Sequence, residues 1–408
     1  MKSKKKIFVW TLFDFGNTSF SIVVVTFLFA VYFKNTIANG EPIGDFYWSL
    51  GTSLSMIITA LISPVLGAIA DFSAGKKRFL LFFTLVCITA TACLYFTGPG
   101  QIFIALLLFI IANIGFEAGL VFYDAFLPEI TTPKNYGRVS GYGFGMGYLG
   151  SLATLGLVYP FIQAGMITET FPVSALFFLL FSLPLFIFLH DSKRKRERNE
   201  PYYMIGMKRV WTTITHLKNY KNLAIFLLAY FFYIEGVNTV IFFSGIYAST
   251  TLGFTEEELL LFFLTVQTTA ILGSVIFGIL ADSIGQKKTI MITLVMWLII
   301  VVAAYFIFDK TGFYVVGLIA GSAMGSSQST SRSLMTKLTP EEKKTEFFGF
   351  YSFFGKSSAV IGPLVFGLVS FLTGDQRNAI LTIGLFFIVG MGILIKVKDS
   401  PVKSVAQS

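Results

Sequence analysis

Gly67-Ala68-Ile69-Ala70-Asp71 closes an apolar run just ahead of the basic Gly75-Lys76-Lys77-Arg78, and the arrangement returns as Gly278-Ile279-Leu280-Ala281-Asp282 ahead of Gly285-Gln286-Lys287-Lys288. The copies stand 211 residues apart (278 − 67), close to half of the 408-residue chain. An acid and an asparagine recur in the same way, Asp14 with Asn17 and Glu235 with Asn238, at an offset of 221 (235 − 14). The chain therefore reads as two copies of one membrane unit, and duplicated halves with acids inside apolar segments point to a transporter.

Composition agrees. Hydrophobic residues make up 55% and charged residues 13%, about half the charged share of a soluble domain. The net charge of +9 is no nucleic-acid footprint, because the basic residues fall in alternate loops. Lys2 and Lys4 to Lys6, Lys76 to Arg78, Lys134 and Arg138, Lys193 to Arg198, Lys287 and Lys288, Lys343 and Lys344, and Lys396 and Lys398 lie on one side. The other side carries only Lys34, Lys310 and Arg377, among acids such as Asp45 and Glu257. Positive charge marks the cytoplasmic face, so both termini are expected there, in a multi-pass protein of the bacterial cytoplasmic membrane. The first apolar run continues to about residue 33 with no small-residue cleavage site and reads as an uncleaved helix. Cys87 and Cys93 share one apolar run and read as packing residues, with no disulfide framework or metal site implied.

Windows of about 20 apolar residues give twelve spans, near 7 to 33, 45 to 70, 78 to 97, 101 to 127, 138 to 163, 171 to 189, 222 to 248, 258 to 281, 289 to 308, 312 to 335, 346 to 371 and 377 to 396. The one long connection divides them six and six. The domains are thus 1–190, a bundle of six helices; 191–221, a basic cytoplasmic linker; and 222–408, a second six-helix bundle with a short cytoplasmic tail. Within the linker Met204, Met207, Trp211, Ile214 and Leu217 recur at helical spacing among Lys208, Arg209 and Lys218. They predict an amphipathic helix on the inner membrane surface, the alternative being a solvated basic linker.

Asp71 and Asp282 end their helices, where a negative charge opposes the helix's own dipole. Each needs a partner elsewhere, such as the start of a neighbouring helix, and Gly67 and Gly278 one turn earlier allow backbones to approach. Such contacts would form a gate on the cytoplasmic side. These loops resemble the G-x-x-x-D-x-x-G-(R/K) pattern of the major facilitator superfamily, the first copy departing from it by one extra residue, Ala74. Asp14 to Asn17, Asp124 to Glu129, Gly137-Arg138-Val139-Ser140-Gly141, Gly236 to Thr239, Arg332 to Leu334, Glu346 to Tyr351, Gly355-Lys356 and Gly362-Pro363 narrow the resemblance to the "unknown major facilitator" branch, which includes the autophagy-related fungal vacuolar effluxers. The resemblance implies an all-α membrane protein of twelve transmembrane helices in two pseudo-symmetric six-helix bundles, with spans 1, 4, 7 and 10 lining a central cavity, and export of amino acids as the activity.

Ionisable groups inside spans are costly and are functional candidates. On the first span Trp10, Asp14, Asn17 and Ser21 share a face; on the seventh, Phe231, Glu235, Asn238 and Phe242 do. The fourth carries Asn113, Glu117 and Asp124, the tenth Gly321, Gly325, Gln328 and Arg332, and Lys356 lies in the eleventh. Asp14, Glu117, Asp124 and Glu235 outnumber Arg332 and Lys356, leaving two carboxylates to meet protons, a cation or a substrate amine. Asp14, Asn17, Glu117, Glu235, Asn238 and Lys356 are the candidates for substrate or proton coupling; buried asparagines also serve simply to tie helices together. Gly145 to Gly150 matches GxGxxG inside an apolar helix with no preceding strand, and no P-loop occurs, so nucleotide binding is not expected. With His190 and His216 beside the linker, hydrolase chemistry lacks a base.

The sequence thus predicts a monomeric secondary transporter, not an enzyme, without cofactor or nucleic acid. Its expected partners are the lipid bilayer, a small polar solute with amino acids as the leading class, and protons as the candidate coupling ion. The rivals are a non-transporting receptor on the same scaffold and a lipid flippase. Gly67, Asp71, Asp124, Gly278, Asp282 and Arg332 are the expected cytoplasmic gate. Asp124 and Arg332 are equivalent in the repeat, 208 residues apart (332 − 124), and are expected to pair. The double exchange Asp124→Arg with Arg332→Asp should recover much of the transport that each single variant loses; a double variant as inactive as either single one assigns Arg332 to a substrate carboxylate instead.

Overall fold

The structure is a computed structural model describing residues 3–41, 43–73, 75–191, 201–358 and 361–399. Ala74, Lys2, the basic run Lys193 to Arg198 and the tail beyond 399 lie outside the described residues. Among those described, regular structure is helical throughout. The helices are α1 (Ser3–Phe20), α2 (Ile43–Ser73), α3 (Lys76–Cys93), α4 (Ile102–Asp124), α5 (Tyr136–Gln163), α6 (Thr170–Phe188), α7 (Tyr202–Thr215), α8 (Lys221–Thr250), α9 (Glu256–Ile284), α10 (Gln286–Phe306), α11 (Lys310–Leu338), α12 (Lys344–Ser358), α13 (Ile361–Thr373) and α14 (Gln376–Leu394). Eleven helical stretches among the described residues are long and apolar enough to cross a membrane.

Two elements depart from the simplest reading of the sequence. The first span is not one α-helix: π-helical turns occupy Ser21–Thr26 and Phe33–Ile37. The first coincides with the β-branched run Ile22 to Thr26, whose side chains crowd the preceding turn. The tenth span, α11, has 29 residues, about 43 Å of helix, but is too polar to stand with the eleven. Several of its hydroxyls bond within the helix: Ser327 donates to the Ala323 carbonyl (2.8 Å), Ser333 to Thr330 (3.0 Å) and Thr336 to Arg332 (2.8 Å). A serine that bonds its own backbone can be buried in an apolar setting without another partner. Along the eleventh span the described residues on either side of 359–360 are helical, as α12 and α13.

The chain forms two compact units. One gathers the described residues of Met1–Phe126, Met146–Val210 and Lys343–Gly349, the other those of Leu127–Gly145, Trp211–Glu342 and Phe350–Ser408. Each takes in a helix start from the other half of the sequence, for the reason given below. In the first unit α1 packs on α6 through Phe13 against Phe178 and Phe15 against Phe181. In the second, Trp297 is fully buried and stacks on Phe387. There α9 meets α11 backbone to backbone: a Cβ on Gly325 would strike the Ala270 carbonyl. Gly325→Val should therefore force these helices apart. A loss of roughly 1–3 kcal/mol or more is expected, read as a lowered Tm of the detergent-solubilised protein.

Candidate functional site

Asp71 lies in the last turn of α2, and its partner is the first turn of α12. Its Oδ1 accepts from the Thr345 amide at 3.1 Å and its Oδ2 from the Glu346 amide at 2.8 Å. First-turn amides have no acceptor within their own helix, and the positive end of α12 offsets the unfavourable dipole of α2. A Cβ at Gly67 would collide with the Thr345 carbonyl, so glycine there permits the contact. The second copy repeats the arrangement. Asp282 Oδ1 accepts from the Gly137 amide (2.8 Å) and Oδ2 from the Arg138 amide (3.1 Å), both in the first turn of α5. Gly278 faces the backbone of Gly137. These two caps draw Leu127–Gly145 and Lys343–Gly349 out of their own sequence halves and into the opposite compact units.

The copies differ in one charge. Arg138, beyond its amide, brings its Nε to Asp282 Oδ2 at 2.8 Å, with the arginine side chain 42% exposed and the aspartate buried. At the corresponding place in the first copy stands Glu346, a buried acid beside Asp71. Its compensation comes from Arg209 of the linker helix, at 3.6 Å, and from Lys343 at 3.7 Å. Gly206 seats α7 against Val65 and Ile69 of α2. Trp211 and Met207 are 69% and 62% exposed, and Met204 and Ile214 are also exposed, which leaves an apolar face open as an interfacial helix requires. Sequence reasoning overlooked Glu346 and Arg209. Setting Gly137-Arg138 beside Thr345-Glu346 would have revealed a reversed charge in need of a cation.

The intramembrane acids have distinct surroundings. Asp14 accepts from the Tyr123 hydroxyl at 2.6 Å, and Trp10 stacks on the same tyrosine ring at 4.6 Å. Asn17 is buried, its amide nitrogen lacking an acceptor. Glu117 is buried in the middle of α4, and Asp124 ends that helix. Glu235 is fully buried and accepts from Thr239 Oγ1 (3.1 Å) and from the amide of Gly362 at the start of α13, while its Oε2 has no hydrogen-bond partner. The face expected on the seventh span is only partly covered: Asn238 is half-buried and Phe242 is 66% exposed. Glu235 thus shares its site with Thr239 and Gly362, not with Phe242. Arg332 is buried, donating from Nε to Ser140 Oγ (3.0 Å) and from Nη2 to the Ser140 carbonyl (2.9 Å), with its guanidinium 4.1 Å from the Phe144 ring centre. Lys356 is half-buried near the end of α12. The glycines of the GxGxxG match lie within α5, where Gly147 and Gly150 abut Thr18 and Phe15 of α1.

Many apolar spans, a duplicated pair of helix-end caps and acids held inside the bundles define a multi-pass membrane transporter of the major facilitator class. The human organic anion transporter MFSD10 (TETRAN) shares this fold, with a TM-score of 0.77 over 97% of this chain and all of that one, at 15% identity. The chain belongs to the vacuole effluxer Atg22-like family, whose model matches residues 47–136 and 132–404. It is 34% identical to the uncharacterized MFS-type transporter YxiO of Bacillus subtilis (strain 168), covering 98% of this chain and 96% of that protein. It is 25% identical to autophagy-related protein 22 of Kluyveromyces lactis, covering 84% and 77%.

Replacing either cap carboxylate by an amide turns one of its two acceptor oxygens into a donor and leaves one first-turn amide unpaired, a cost of about 1–3 kcal/mol for the unsatisfied group. Asp71→Asn and Asp282→Asn should therefore raise labelling, from the basic-loop side, of single cysteines placed along α4 and α11, in a background with Cys87 and Cys93 replaced by alanine. Arg209→Gln should reproduce the Asp71 effect in weaker form. Labelling unchanged in all three would remove the gate assignment.

Proposed function

We propose that this chain is a secondary active transporter that moves a small polar solute, with amino acids as the solute class, by alternating access driven by protons. The observation that carries the reading is the duplicated cap. A carboxylate at a helix end, held by the open amides of another helix start, is a contact that can be made and released as a unit, which a static receptor does not need. Its occurrence in both halves matches the rocking of two repeats about a shared axis. On this reading Asp71 and Asp282 close the cytoplasmic side, both termini are cytoplasmic, and the protein works in a bacterial cytoplasmic membrane. The effluxer name of the family model and the resemblance to vacuolar amino-acid exporters support the solute class.

Glu235 is the residue we assign to proton coupling. It repeats Asp14 in the second half, is buried, and has one carboxyl oxygen without a partner. A carboxyl group so enclosed is costly to ionise and can carry a proton as its surroundings change. In proteoliposomes screened with amino acids, peptides, sugars and organic anions, an imposed pH gradient should drive accumulation of amino acids. Glu235→Gln should abolish gradient-driven accumulation while leaving solute exchange within about tenfold of the parent. Accumulation by the variant under a pH gradient would remove Glu235 from coupling; no amino-acid transport by the parent would remove the solute class.

A further inference from the structure

The transport reading leaves the outer side of α7 unused. Met204, Met207, Trp211 and Ile214 recur along one stripe of this helix, and all four are exposed. Leu217, in the turn that follows, extends the row and is exposed as well. The opposite stripe is engaged with protein: Gly206 lies against Val65 and Ile69 of α2, Arg209 reaches Glu346, and Thr213 is buried. The helix is therefore held along one side and bare along the other.

A continuous row of five large apolar side chains marks a surface that something covers. Its position decides what. Val65 and Ile69 stand near the end of α2, a helix long and apolar enough to cross a membrane. Contact with them fixes α7 at the depth where hydrocarbon gives way to headgroups. The cover at that depth is the bilayer itself.

Charge narrows the lipid. From Pro201 to Ile234 the sequence has no acidic residue, yet it carries Lys208, Arg209, Lys218 and Lys221. Arg209 answers the buried Glu346, whereas Lys218 and Lys221 are exposed directly after Leu217. Lysine stems run along apolar surface and carry the amine outward to the level of lipid phosphates. A zwitterionic headgroup sets its own cation beside that phosphate, while an anionic one leaves net negative charge. Each lysine near an anionic surface favours binding about fivefold.

We propose that α7 and the turn after it form a docking surface for anionic phospholipid in the leaflet on the basic-loop side. Met204, Met207, Trp211, Ile214 and Leu217 enter the acyl boundary, and Lys218 and Lys221 meet the headgroups. The surface depends neither on the solute nor on the ion that drives its transport.

The test uses the full-length protein in nanodiscs of equimolar phosphatidylcholine and phosphatidylglycerol, with acyl chains brominated at one depth on the first lipid and then on the second. Bromine quenches nearby tryptophan, and the Trp211 signal is the difference between the parent and Trp211→Phe. Brominated phosphatidylglycerol should quench that signal at least about twice as strongly as brominated phosphatidylcholine. Lys218→Gln with Lys221→Gln should bring the two lipids to equal quenching while leaving Trp211 quenched, and Lys218→Arg with Lys221→Arg should keep the preference. Equal quenching in the parent overturns the proposal, and so does a preference that survives in the glutamine variant. Absence of quenching by either lipid, as a solvated linker or a covering second copy would give, overturns it too.

Discussion

A carboxylate at the C-terminal end of one helix and the open amides at the N-terminal start of another solve each other's problem, and the rest of this structure is arranged around that exchange. Asp71 and Asp282 would each destabilise the helix that carries them if left alone. The first turns of α12 and α5 would each leave amides unpaired. Joined, the two defects cancel. The division into compact units follows from it, because the segments that change sides are the ones that supply these amides.

Much of this was legible in the sequence, because the signals were periodic or repeated. Apolar windows located the spans, and the recurring Gly-x-x-x-Asp showed both carboxylates and the glycines that let backbones approach. The partners were harder to read, since a helix start offers only main-chain amides and these have no signature in side-chain identity. Glu235 was recognisable as an intramembrane acid, yet its attachment to the main-chain amide of Gly362 has no signature in side-chain identity. Periodicity reports direction around a helix, not how far along its length neighbours cover it, so burial at Glu235 and exposure at Phe242 on one face could not be told apart in the sequence.

The two halves share a plan but differ in how they fill it. In the second half, α9 and α11 pack through glycines. In the first half, the equivalent crossing is joined by a side-chain hydrogen bond from Asn113 to Ser55. Pseudo-symmetry fixes the backbone path, while the chemistry has been distributed unequally along it.

The same inequality bears on the connection between the halves. The cap at Asp282 carries its own counter-charge in Arg138, whereas the acid beside Asp71, Glu346, draws on Arg209 from the linker helix as well as on Lys343. The linker is therefore a structural member of the Asp71 clasp. Two half-proteins made as separate polypeptides would hold the counter-charge of the Asp282 clasp in either design, but the Asp71 clasp would keep Arg209 beside Lys343 only if the break left α7 attached to one of them. Where the chain is cut, not merely whether it is cut, decides which end of the repeat loosens first.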